Sequence, residues 1–232
     1  MKKDDRAKWK AAFPTIESTQ GAPALADHLI RVSKGRGTAA FFVTGTDTDI
    51  GKTFCTCVLL REFRDRGIDA IGFKPVSCGS QEDARKFQKL SIDGLTLGQL
   101  NPVYLKHPLA PVSQKSFPWK VLMGRIREAY RHLVALKPRF ILVEGAGGLL
   151  CPVTHQHTVR DIAKTLALPL IIVAPNRLGV LNQTLMTLES ATYAKLHSTA
   201  IVLNRMGKRG DVSSKINFGV LKKLTRIPLY EI

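Results

Sequence analysis

Residues 44–53 read Thr-Gly-Thr-Asp-Thr-Asp-Ile-Gly-Lys-Thr. The run follows an apolar stretch, Ala39 to Val43, and precedes a segment with helical spacing. A Gly-Lys-Thr between a strand and a helix suits a bound nucleoside triphosphate. Gly51 has no Cβ, so the backbone can approach a phosphate closely. The helix starting there directs free N–H groups and the positive end of its dipole at the same point. Lys52 can reach the β- and γ-phosphates, and the Thr53 hydroxyl can ligate Mg²⁺. Five residues separate Gly45 from Gly51, one more than the common phosphate loop.

Mg²⁺ prefers six oxygens and keeps several of them as water, so further ligands must come from elsewhere in the chain. Glu144 ends the apolar run Phe140–Val143 and opens Glu-Gly-Ala-Gly-Gly148. A carboxylate at a strand's carboxyl end, beside the phosphate loop, is placed for a second ligand. Asp83, in the loop expected after the second strand, could close the sphere, with a solvated surface acid as the competing reading. Lys74 stands at the end of Gly72-Phe-Lys-Pro-Val76 and points at the same sheet edge. Two lysines with Mg²⁺ would neutralise a transferring phosphoryl group.

These residues need elements to hold them. Apolar runs predict strands over Ala39–Val43, Ala70–Val76, Phe140–Val143, Leu170–Ala174 and Thr199–Leu203. Helical periodicity covers Thr53–Arg66, Trp119–Leu136, Thr158–Leu166, Val180–Leu196 and Val212–Leu224. Strands that stay apolar without alternating are buried on both faces, as in parallel sheets. Their alternation with helices gives an α/β fold: a doubly wound, mainly parallel sheet flanked by helices, in one P-loop NTPase-like domain over 39–232. Residues 78–119 have weaker periodicity and several prolines, and follow the second strand at the edge where ligands bind. Residues 1–38 read as an N-terminal extension with one short helix over Ala24–Val32 and a linker at Ser33–Thr38.

The chain has 232 residues, 44% of them hydrophobic, which supplies one large core. No apolar run is long enough to span a membrane, and no apolar segment follows the charged N-terminus, so neither a membrane nor a secretory signal is expected. Four cysteines make no disulfide framework. Cys55 and Cys57 lie two apart on a helix, point apart, and read as buried free thiols in a reducing cytoplasm. The net charge is +17, but the basic residues form no long cluster and have no aromatic interleaving, so no nucleic-acid partner is expected. His155 and His157 read as an exposed loop pair. Asp161 reads as a first-turn acid that complements the helix dipole. Trp9 and Trp119 read as packing residues.

Together, Val43–Thr53, Gly72–Val76, Val143–Gly148, Leu178-Gly-Val-Leu-Asn182 and Val202-Leu-Asn204 resemble dethiobiotin synthetase. That enzyme belongs to the P-loop group shared with cobyrinate amide synthases and partition-type ATPases. The motifs run in family order across residues 39–232. The resemblance implies a homodimeric, ATP- and Mg²⁺-dependent ligase of biotin biosynthesis. Such an enzyme adds CO2 (or bicarbonate) to 7,8-diaminononanoate as a carbamate. ATP phosphorylates the carbamate, and the second amine closes the ureido ring. It implies Lys52, Lys74 and Thr48 as catalytic residues. Asp49, Ile50, Gly51, Lys52, Thr53, Glu144, Gly147 and Asn204 would bind nucleotide, with Asn204 reading the adenine. Thr48, Lys74, Cys78, Gly147, Gly179 and Asn182 would bind substrate. Thr53, Asp83 and Glu144 would hold Mg²⁺. The helix opened by Leu178–Asn182 would receive the substrate carboxylate and would come from a neighbouring subunit.

The chain departs from that pattern at Cys78, where a hydroxyl residue is usual, at Val112 and Gln183, where histidines are common, and at the short C-terminal Ile227–Ile232. A partition-type ATPase that binds DNA or membrane is the competing class, but its loop carries an early lysine, and Thr46–Ile50 has none. A cobyrinate-type synthetase would need a glutaminase domain the chain has no room for. A degenerate, inactive homologue is the remaining alternative.

Overall fold

A computed structural model describes residues 21–114, 117–205 and 211–232. Six parallel strands form one sheet in the order β2-β5-β1-β6-β7-β8. They are β1 (Ala39–Gly45), β2 (Ala70–Phe73), β5 (Phe140–Gly148), β6 (Leu170–Pro175), β7 (Ser198–Asn204) and β8 (Leu229–Glu231). A short parallel pair, β3 (Val76–Cys78) and β4 (Val103–Leu105), stands beside it.

The unbroken apolar runs have a direct cause. Side chains alternate across a strand, and each face of this sheet has its own core. Phe41, Val43, Phe140, Leu142, Ile171, Val173 and Val202 point to one face. Helices α1 (Gly21–Val32), α2 (Lys52–Asp65) and α3 (Glu82–Leu90) cover it. Phe42, Ile141, Val143, Leu170, Ile172 and Ile201 point to the other face. There α5 (Trp119–Ala135), α6 (Val159–Thr165) and α7 (Val180–Tyr193) pack. The remaining helices are a single turn, α4 (Leu97–Leu100), and α8 (Asn217–Leu224). The fold is the doubly wound α/β sheet the sequence predicts.

Four expectations are corrected. The strand expected over Ala70–Val76 is two strands. Pro75 has no N–H to give a ladder, and Lys74 donates its own N–H to the Leu100 carbonyl at 2.8 Å instead. The chain therefore leaves the main sheet at Lys74 and pairs again as β3 with β4. Asp83 lies in the first turn of α3 rather than in a loop. The helix expected over Val212–Leu224 is a 3₁₀ turn, Val212–Lys215, followed by α8. The short helix expected at Ala24–Val32 begins at Gly21 and packs on the core through Leu25 and Leu29. Trp9 lies outside the described residues.

Candidate active site

The carboxyl ends of β2, β5, β1 and β7 open on a cleft of about 1630 Å³. The loop after β1 forms its floor. Gly51 caps α2 at φ +86°, and Asp49 takes a left-handed conformation at φ +50°. Gly45 is obligatory at the start of the loop. A Cβ there would lie 2.7 Å from Ile50 Cδ1 and 3.0 Å from the Asp47 carbonyl oxygen. Lys52 folds back, its Nζ donating to that carbonyl at 2.8 Å.

Sheet register brings the other charged groups alongside. Phe73 pairs with Val143, so Lys74 follows level with Glu144, and Glu144 itself pairs with Val43 of β1. The Lys74 ammonium donates to Glu144 Oε1 at 2.6 Å and to Asp83 Oδ2 at 2.7 Å. The Thr53 hydroxyl donates to Glu144 Oε1 at 2.8 Å. Glu144 is fully buried. Two further contacts hold Lys74 in place. Asn101 Nδ2 donates to the Lys74 carbonyl at 2.7 Å, and Gln81 Nε2 donates to Asn101 Oδ1 at 2.9 Å.

Electrostatics follow from this packing. Burial pulls the Lys74 pKa down, but Glu144 and Asp83 more than reverse it, leaving the ammonium above its ordinary range. Burial pushes Asp83 up, yet Lys74 holds its carboxyl below the usual carboxylate range. Lys52 is lowered, chiefly by burial and also by repulsion from Lys74, with Glu144 opposing. An anionic phosphate beside Lys52 would push its pKa back up.

The donors around Lys74 are two carboxylates and a hydroxyl, all hard oxygens, with a cation already held between them. That set fits Mg²⁺. Among the described residues no group of three or more His, Cys, Asp or Glu could hold a metal ion. A site with two carboxylates leaves the remaining positions to water and phosphate oxygens, as Mg²⁺ prefers.

Thr48, Asp49, Gly51, Lys52, Thr53, Lys74, Cys78, Asp83, Glu144, Gly147 and Asn204 all line the cleft. Ile50 does not, because its side chain is buried in the core. Its carbonyl accepts from Asn204 Nδ2 at 2.9 Å, tying the end of β7 to the phosphate loop. Gly147 sits at φ +71° beside Cys151. Gly179 caps α7 in open space, and exposed Asn182 contacts Met186; neither lines this chain's cleft. Of the departures, Cys78, Gln183 and the C-terminal Ile232 line the cleft, and burial raises the Cys78 thiol. His157 is not an exposed loop group: its ring stacks on Trp119 at 4.2 Å.

Thr56, Asn101 and Cys151 went unread in the sequence. Thr56 stands three residues after Thr53, on the same helix face, which was the available signal. Asn101 and Cys151 carry none, since only tertiary structure brings them to the site.

A family model described as an AAA domain matches residues 39–230. The ATP-dependent dethiobiotin synthetase BioD of Akkermansia muciniphila is 35% identical over 190 residues, 82% of this chain and 89% of that protein. The protein of the same name from Anaeromyxobacter dehalogenans is 39% identical over 194 residues, covering 81% and 86%. The one from Bacillus licheniformis is 32% identical over 196 residues, covering 82% and 83%. Among solved structures, the kinase domain of Escherichia coli tyrosine kinase ETK superposes with a TM-score of 0.55 at 14% identity, over 83% of this chain and 77% of that one. That likeness shows the shared fold alone. At this identity and coverage, with the phosphate loop and the Lys74–Glu144 pair built as described, the chain belongs to the dethiobiotin synthetase family.

Proposed function

We propose that the protein is an ATP-dependent ligase that makes dethiobiotin from 7,8-diaminononanoate and CO2, in the cytoplasm. One observation carries the reading: Thr53, Lys74, Asp83 and Glu144 form one hydrogen-bonded cluster at the foot of the phosphate loop. A transferring phosphoryl group needs positioning and charge neutralisation rather than a general base.

The loop amides and Lys52 bind the triphosphate, and Asn204 lies at the far side of the loop, where the base would rest. Thr53, Asp83 and Glu144 would hold Mg²⁺, which supplies Lewis-acid charge at the phosphates. Lys74, in the same cluster at the cleft, would face the carbamate oxygens. Thr48 and Cys78 flank the same space.

Gly179 and Asn182 serve in a homodimer. Leu178 is 80% exposed, Met186 60% and Tyr193 82%, all on or beside α7, and Leu150 and Leu109 add apolar surface at the cleft mouth. Such a surface suits a second copy of the chain, whose α7 N-terminus would meet the substrate carboxylate.

The test is product mass spectrometry with Mg²⁺, ATP, bicarbonate and 7,8-diaminononanoate, against a control without the diamine. Dethiobiotin appearing only with the diamine supports the reading. ATP hydrolysis stimulated by DNA or lipid, without product, would move the protein to the partition-type switches. Neither activity would mark a degenerate site.

A further inference from the structure

Glu144 has two carboxylate oxygens, and they are treated differently. Oε1 faces the cleft side and accepts from Thr53 and Lys74. Oε2 accepts from the Thr56 hydroxyl at 2.8 Å. Thr56 is completely buried and does not line the cleft, so it cannot touch a nucleotide or substrate directly. Its hydroxyl also lies 3.0 Å from the Lys52 carbonyl. A hydroxyl has one proton to give. The shorter contact is to the carboxylate, and charge-assisted bonds are the stronger ones.

Residues 53 and 56 are one helical turn apart on α2 and share a face. Each therefore offers a hydroxyl to the same carboxylate, one to each oxygen. The Glu144 side chain sits on β5, a different element, and is fully buried. A buried carboxylate held at one oxygen can swing about its last torsion, which is broad. Held at both, it presents Oε1 in one direction only.

We propose that Thr56 is a positioning residue that locks the Glu144 carboxylate so that Oε1 is aimed at the Mg²⁺ of the nucleotide complex. The proposal rests on the reading of Thr53, Asp83 and Glu144 as the metal site. Partners that orient a metal ligand change metal affinity by about 10–100-fold when removed.

The test uses the full chain with an ATP analogue whose β–γ bridge cannot hydrolyse. Mn²⁺ serves as the probe, and its binding is followed by electron paramagnetic resonance. Thr56→Val has the same shape without the hydroxyl. It is expected to weaken Mn²⁺ binding about tenfold or more and to leave KM for the diamine unchanged. Thr56→Ser is expected to restore binding close to that of the unchanged protein. Glu144→Gln is run beside them. If Glu144→Gln weakens Mn²⁺ binding and Thr56→Val does not, the Thr56 assignment is overturned while the metal site stands. If Glu144→Gln has no effect, the metal-site reading fails and takes the proposal with it. Thr56→Ala guards against a Val variant that does not fold. Should both variants unfold while Thr56→Ser folds, Mn²⁺ binding by Thr56→Ser about tenfold weaker than by the unchanged protein overturns the proposal.

Discussion

Lys74 is the residue on which the site turns, because it compensates a fully buried carboxylate. Leaving Glu144 buried without its cation should cost about 3–5 kcal/mol. Lys74→Met is therefore expected to lower the melting temperature in EDTA and to recover part of the loss when Mg²⁺ is added. A thermal shift series with and without Mg²⁺ checks this, and no recovery would separate the two carboxylates from metal binding. Lys74→Met should also abolish measurable ring closure. Lys52 stands differently. Its Nζ bonds only a backbone carbonyl among the contacts described, so Lys52→Ala should leave the fold intact. Turnover should fall about 10²–10³-fold with loss of an anion-stabilising group. Single-turnover kinetics with melting curves measure both, and near-normal turnover would remove Lys52 from the phosphate site.

At the scale of elements, α1 is the least anticipated. It is stapled to the domain by Arg66, which donates to Asp27 at 2.5 Å and to the Pro23 carbonyl at 3.2 Å. It is also held by His28. The His28 Nε2 lies 3.2 Å from the Thr199 carbonyl, and Nδ1 lies 3.1 Å from the Arg31 guanidinium. A neutral ring protonated at Nε2 satisfies both contacts; a second proton would face the guanidinium. Burial holds the His28 pKa below its ordinary 6.5, with Arg31 adding to this and Thr199 opposing. As pH falls, the unfolded chain takes the proton first, so stability drops below about pH 6.5 and is fully present above it. The expected outcome is a melting temperature that declines from about pH 7 to about pH 5, and a shallower decline in His28→Gln. Equal slopes would show that α1 docking does not depend on the ring's charge. Gly21 marks the same joint, since a Cβ there would lie 2.0 Å from the Glu231 carbonyl. Gly21→Ala should therefore part the first turn of α1 from β8, read as faster amide exchange in residues 21–32. Unchanged exchange would mean that α1 can shift to accept the methyl.

For the whole molecule, the prediction concerns assembly. The apolar residues around α7 are the surface a second copy would cover. Met186→Lys puts a charge at its centre, and sedimentation should turn a dimer into a monomer while each monomer stays folded. A dimer that survives the change would move the interface elsewhere. Among the described residues no helix is long and apolar enough to cross a membrane.

How much of this could be read without coordinates differs from residue to residue. Gly51, Lys52 and Thr53 were legible because their chemistry is contiguous, and a strand and a helix flank them in the chain. Glu144 was legible because it ends an apolar run. The strand runs themselves were legible because a sheet with a core on each face leaves no polar position to interrupt them. The strand break at Lys74 was not: Pro75 was visible, but the carbonyl of Leu100 that takes the Lys74 N–H was not. Asp83 lies in a helix where the sequence reads as a loop, because α3 is only nine residues long. His157 reads as exposed in the sequence because the ring that covers it, Trp119, is distant in the chain. The sequence by itself determined the phosphate loop, the parallel α/β architecture and the residue types of the site, since these rest on local spacing and period. Only the tertiary structure decided that Lys74 would join Glu144 to Asp83, that Thr56 would hold the second oxygen of Glu144, and that α1 would lie against β8. Those contacts depend on strand register and helix docking between distant segments, and burial away from water gives them their strength.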